Sequence, residues 1–157
     1  MRIVQLNCQR NYAVCQATFQ VGIDIGAEIL CLQEPYLGEK GMVHPAYEFR
    51  FSNIGELRQQ RVAVGVRKDL GGRMIVETRS DLIEHPYIQV MDIWELDSQR
   101  KKKRKTRIVN VYDNWVGEGQ IWHGISNERR RAIEDVDWNK IIENRTILAG
   151  DFNAHSP

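Results

Sequence analysis

Residues 147–157 read ILAGDFNAHSP, a short apolar run that breaks at Gly150 into Asp151, Asn153 and His155. A buried strand that ends abruptly in polar side chains is how layered α/β proteins present a site, because the carboxyl ends of their strands open into a crevice. Three further segments have the same form. RIVQLNC (2–8) reaches Asn7, EILCLQE (28–34) reaches Gln33 and Glu34, and TRIVNVYD (106–113) reaches Tyr112. Four strand ends carrying an Asn, a Glu, a Tyr and an Asp/Asn pair would converge on one polar pocket.

The intervening sequence alternates between the two periodicities. Asn11 to Ile25 has apolar residues at 14, 17, 21 and 25, one side of a helix, and Gly26 follows as its C-cap. EPYLGEKGMVHP (34–45) is loop punctuation. Strand patterns recur at 47–52, 61–67, 73–78 and 87–96, and a second helix is expected over about 126–143, with Ser126 as N-cap and Ile133, Val136 and Ile141 inward. Trp94 and Trp138 are expected in the core. Trp115 and Trp122, around Gly117 and Gly119, are expected to anchor a loop. Strands with interspersed helices predict an α/β or α+β layered sandwich in a single domain, 1–157, and the pattern leaves the topology open.

With 157 residues, 42% apolar and 27% charged, the composition is that of an ordinary globular domain. No apolar run has membrane-spanning length, and the N-terminus enters a strand pattern directly, so no membrane partner and no secretion signal are expected. Cys8, Cys15 and Cys31 lack CxxC spacing and are expected as buried reduced thiols, which places the chain in the nucleus or cytoplasm. The sequon at Asn144 is then a coincidence.

The net charge of +1 conceals a segregation. Seven basic residues and no acid fall between Arg100 and Arg107, so the rest of the chain is acidic overall. The run 99–105 is expected at a hairpin tip. Arg100, Lys101, Lys102, Lys103, Arg104 and Lys105 are candidate contacts to a DNA backbone, against the plainer reading of a solvated turn and a competing one of a nuclear import signal.

The four polar strand ends suit phosphodiester hydrolysis. Glu34 is a hard oxygen ligand of the kind that holds Mg²⁺ while leaving positions for water and phosphate. Asp151 could orient or deprotonate a water, Asn7 and Asn153 could donate to phosphate oxygens, and Tyr112 could bond the phosphate or position the Asp.

LNCQ, CLQEPYLG, IVNVYDNW and ILAGDFNAHSP, in that order, resemble the endonuclease/exonuclease/phosphatase superfamily, and within it the endonuclease domains of non-LTR, LINE-like retrotransposons. The resemblance implies a four-layered αββα sandwich of two mixed sheets. It also implies a Mg²⁺-dependent enzyme, with Mn²⁺ a possible substitute, that nicks duplex DNA and is fused to or derived from a reverse-transcriptase polyprotein. Glu34 and Asn7 match the metal-side residues, Tyr112 the active-site Tyr, and Asp151 and Asn153 the pair of the GDFN strand. A Ser-Asp-His segment of that family has no counterpart here. The nearest text is Ser80-Asp81-Leu82, His155 is not a substitute, and His44, His85 and His123 read as surface residues. The domain is therefore expected to be truncated at its C-terminus and to self-associate through exposed strand edges. Two alternatives stand beside the nuclease: an inactive remnant that binds metal or nucleic acid, and a phosphatase of the same fold.

Overall fold

The structure is a computed structural model, and it describes residues 1–38, 41–52, 59–70, 72–113, 115–116, 130–134 and 136–153. In chain order the elements are β1 (Ile3–Asn7), α1 (Tyr12–Asp24), β2 (Ile29–Gln33), β3 (Tyr47–Arg50), β4 (Val62–Arg67), β5 (Met74–Thr78), β6 (Ile88–Leu96), β7 (Lys102–Tyr112), β8 (Trp115–Val116), β9 (Arg130–Arg131), α2 (Trp138–Ile141) and β10 (Thr146–Asp151). They build two four-stranded mixed sheets, ordered β1-β2-β4-β3 and β10-β7-β6-β5, plus the short pair β8-β9. Each large sheet has one parallel pair, β1 with β2 and β10 with β7, and antiparallel pairing elsewhere. Among the described residues no helix is long and apolar enough to cross a membrane.

The alternation along β2 shows how the layers form. Ile29 and Cys31 face the second sheet, where they pack with Met91, Ile93 and Ile108, beside Val64 of their own sheet. Leu30 and Leu32 face the other way, against Cys15 and Phe19 of α1. A strand covered on both faces has no polar side, which is why ILCLQ reads as an unbroken apolar run. On the second sheet Val109 and Val111 face outward onto Ile141, with Trp138 beside them. The order is helix, sheet, sheet, helical segment, as expected of an αββα sandwich.

Helix α1 begins where Asn11 caps it, the side-chain oxygen accepting from Ala13 N at 2.9 Å and Val14 N at 3.3 Å. It ends before Gly26, at φ +66°. Its buried face is Cys15, Thr18, Phe19 and Gly22, not the expected stripe: Val21 and Ile25 are about half exposed. The face is rotated because Thr18 satisfies its own hydroxyl on Val14 O at 2.8 Å, and because a Cβ on Gly22 would stand 2.7 Å from the Tyr47 hydroxyl. Full burial of Phe19 contributes about 2–3 kcal/mol.

The second expected helix is corrected. Among the described residues of this span, Arg130–Arg131 is a strand, residues 132–134 form a turn, and only the single turn Trp138–Ile141 is helical. Residues 117–129, which include Ser126, Trp122 and His123, lie outside the described residues, as does His155. Trp94 is also not core. Its ring lies under Lys102 Nζ at 4.5 Å and its indole N–H donates to Glu77 at 3.1 Å. His44 is no free surface residue either: its ring packs 5.1 Å from Phe19 and 5.7 Å from Tyr47.

The basic run is placed differently as well. The turn spans 97–101, and Lys102 onward belongs to β7. There Lys102 pairs with Glu77 at 2.7 Å, Lys105 with Glu143 at 2.7 Å, and Arg104 with Glu95. Below them Arg107, 4% exposed, makes two bonds to the buried Asp92. All three cysteines are buried, as expected.

Candidate active site

The register of the two parallel pairs sets the site. Asn7 lies beside Gln33 at the ends of β1 and β2, and Asp151 beside Tyr112 at the ends of β10 and β7. Gly150 permits the second alignment, because a Cβ there would fall 2.1 Å from Val111 O. Both pairs therefore deliver their last side chains to the same end of the sandwich, one from each sheet.

Below the site, buried amides fasten the sheets together. Gln5 Nε2 donates to Gln33 Oε1 at 2.5 Å, and Gln33 Nε2 donates to Asn110 Oδ1 at 2.6 Å. Asn110 Nδ2 in turn donates to Leu32 O at 3.1 Å and Ala63 O at 3.0 Å. Gln33 and Asn110 are wholly buried, and this ladder satisfies polar groups that would otherwise be costly.

At the top of the ladder the expected residues meet. Asn7 Nδ2 donates to Asp151 Oδ2 at 2.7 Å, and Asn7 Oδ1 accepts from Gln9 N at 2.8 Å. The Tyr112 hydroxyl donates to the Glu34 carboxylate. Burial first, then the negative charge of Glu34 with this hydrogen bond, and then Asp151, push the Tyr112 hydroxyl up to about 12. One phenol thus senses both carboxylates. Arg10 Nε stands 3.6 Å from Glu34 Oε1 with its side chain 56% exposed.

Glu34 is held through its backbone on both sides, its N–H donating to Arg61 O and its carbonyl accepting from Arg10 N, each at 2.8 Å. Of six non-glycine residues with positive φ among those described, four lie here: Gln9, Arg10, Glu34 and Asn153. Strain of this kind persists where the surroundings enforce it, and it clusters at functional sites.

Asn153 does less facing outward than its sequence position suggests. Its N–H closes onto Asp151 Oδ1 at 3.0 Å and its side-chain amide donates to Asp113 O at 2.7 Å. Asp113 N–H donates to Asp151 O at 2.8 Å, and the buried Asp113 carboxylate pairs with Arg131, whose guanidinium also donates to Phe152 O. Burial raises the Asp113 carboxyl above the usual carboxylate range against the pull of Arg131. Asp113, Arg131 and Arg10 were not anticipated from the sequence. Asp113 carried a signal, since it directly follows Tyr112 at a strand end; Arg131 and Arg10 carried none.

Mg²⁺ is normally held by one or two carboxylates, with waters and phosphate completing its shell. No group of three or more His, Cys, Asp or Glu side chains gathers among the described residues. Glu34 and Asp151, the latter bonded by the Asn7 amide, could still provide the smaller donor set that such an ion needs. Among the described residues, the basic run forms ion pairs with Glu77, Glu95 and Glu143 and not with these side chains.

No protein-family model matches the chain, and no curated protein does. Among solved structures, the endonuclease domain of TRAS1, a telomere-specific non-LTR retrotransposon, matches with a TM-score of 0.68 and 20% sequence identity. The match covers 99% of this chain and 60% of that one. It establishes a shared fold over essentially the whole chain, which spans about three fifths of the length of its structural neighbour.

Proposed function

We propose that the strand-end cluster is a phosphodiesterase site that nicks DNA with the help of Mg²⁺, as the nuclease part of a retrotransposon polyprotein. The observation that carries this reading is the meeting of Asn7, Glu34, Tyr112 and Asp151, from four strand ends of two sheets, around a single phenol. The likeness to a retrotransposon endonuclease domain supports it.

Glu34, with Asp151 and the Asn7 oxygen, would hold the metal ion. When bound, such an ion neutralises phosphate charge and stabilises the leaving oxygen. Asp151 is held by Asn7 through Oδ2 and by the Asn153 N–H through Oδ1, so its remaining lone pairs have fixed directions. That suits it to orient a water and accept its proton. Tyr112 stays protonated across the neutral range and can turn its O–H from Glu34 to a phosphate oxygen. Arg10 supplies a cation at the rim, where a flanking phosphate would lie.

A second reading is a module that binds metal or nucleic acid without turnover. Nicking of supercoiled plasmid separates the two. With Mg²⁺, the nuclease reading predicts nicked circles that disappear in Glu34→Gln, in Asp151→Ala and in EDTA. Folded protein that binds plasmid without nicking it would leave the second reading, and nicking unchanged by either variant would remove this site from the reaction.

A further inference from the structure

Two thiols lie beside the site and take no part in the chemistry above. Cys8 directly follows Asn7, and Cys15 lies in α1. The chain returns on itself between them, Asn11 N donating to Cys8 O at 2.8 Å and Cys15 N to Asn11 O at 3.1 Å. Both side chains belong to one buried cluster and act on each other, while the Cys8 thiol donates to Leu6 O at 3.9 Å. The Tyr36 N–H also donates to Cys15 Sγ, at 3.3 Å.

Their access to solvent differs. Cys8 is wholly buried, whereas Cys15, 2% exposed, lines the floor of a cleft of about 470 Å³ between α1 and the segment that follows Glu34. Tyr12, Phe19, Tyr36 and Met42 form its walls. A molecule the size of hydrogen peroxide can enter such a space, and the first sulfur it meets is Cys15.

We propose that Cys8 and Cys15 form a peroxide-reactive dithiol site, with Cys15 the attacking sulfur and Cys8 the resolving one. This inference does not depend on the nuclease reading. The Cys15 thiolate attacks one peroxide oxygen, the O–O bond breaks, and hydroxide leaves, giving Cys15 sulfenic acid. Cys8 sulfur then attacks Cys15 sulfur, expelling the second oxygen as hydroxide. The two thiol protons convert both hydroxides to water, so two thiols and one peroxide give one disulfide and two waters.

The surroundings favour that order. The neighbouring Cys8, opposed by burial and helped by the Tyr36 N–H, lowers the Cys15 thiol below its ordinary value. Cys8, wholly buried, does not line the cleft. The resolving thiol shares the buried cluster of the attacking sulfur, so closure needs a turn of the Cys8 side chain away from Leu6 O and the approach to an S–S length of about 2.05 Å. Cys8 adjoins Asn7, and Tyr36 lies two residues beyond Glu34, so closure acts on both segments that carry the site. Cys31, wholly buried and pushed up to about 12 by that burial, is the internal control.

The test treats the native chain with hydrogen peroxide, blocks the remaining thiols with an alkylating reagent, and maps the peptides by mass. The expected product is a Cys8–Cys15 linked peptide pair that dithiothreitol reverses, formed about tenfold faster than any change at Cys31. In Cys8→Ser the reaction should stop at Cys15 sulfenic acid, captured by dimedone, and Cys15→Ser should leave Cys8 reduced. The wild-type map stands even if a variant fails to fold. An unlinked Cys15 sulfinic acid as the main product, or linkage at the rate of Cys31 modification, overturns the proposal.

Discussion

Asn7 Nδ2 lies 2.7 Å from Asp151 Oδ2, joining the first strand of one sheet to the last strand of the other across 144 positions of sequence. The bond is short enough to be charge-assisted, and it holds Oδ2 while the Asn153 N–H holds Oδ1. Asn7→Ala should leave the fold intact, because the residue sits at a half-exposed strand end. It should cut plasmid nicking by about 10²-fold, the scale of losing one preorganised donor. An unchanged rate with an unchanged melt would show that Asp151 is positioned by Asn153 alone.

The amide ladder beneath makes a separate prediction about stability. Asn110→Leu removes the donor to Leu32 O and Ala63 O and the acceptor for Gln33 Nε2, all in a fully buried setting. The orphaned groups should cost about 3 kcal/mol or more in urea denaturation. A loss under about 1 kcal/mol would mean that other partners replace the ladder.

Tyr112 gives a pH signature. Its folded value of about 12 lies above its ordinary 10.0, so the native state holds the phenol proton more tightly than the unfolded chain does. That contribution is complete below the ordinary value and declines as pH rises toward the folded one. Ultraviolet titration should show one tyrosine ionising near 12, and Glu34→Gln should bring it closer to its ordinary value. No effect of that substitution would separate the two side chains.

The basic run divides into two sets with different expected roles. Lys102, Arg104 and Lys105 are paired with Glu77, Glu95 and Glu143, whereas Arg100, Lys101 and Lys103 have no acidic partner within 4.0 Å among the described residues. Alanine at 100, 101 and 103 should weaken DNA binding and flatten its salt dependence, since each phosphate contact contributes to the slope by counterion release. Alanine at 102, 104 and 105 should change the slope less. Equal effects would show that the ion pairs open on binding.

Most of the sheet architecture was legible because its cause is local. β2, β4 and β7 are buried on one or both faces, and their apolar runs announce it. The clustering of the candidate residues was legible for the same reason: Asn7, Glu34, Tyr112 and Asp151 each break such a run. What failed depended on contacts distant in sequence. Ile133, Val136 and Ile141 do pack on the core as their spacing suggests, and Ala132 joins them. Arg131 is nevertheless drawn to Asp113 and Phe152, and the Trp138 indole N–H to Ile133 O at 3.1 Å, so they reach the core from an irregular chain. The α1 face was misjudged because Thr18 and Gly22, which bury, do not look apolar. Arg10 and Arg131 are surface-type residues whose roles exist only once the fold has formed.

The central claim is that side chains from both sheets share one divalent cation, and paramagnetic broadening by Mn²⁺ tests it most directly. Small amounts of Mn²⁺ should broaden the Asn7 side-chain amide and the backbone amides of Gly150 and Asp151, and excess Mg²⁺ should restore them. Glu34→Gln should abolish the effect. Broadening confined to other acidic residues, or identical broadening in Glu34→Gln, would contradict the account.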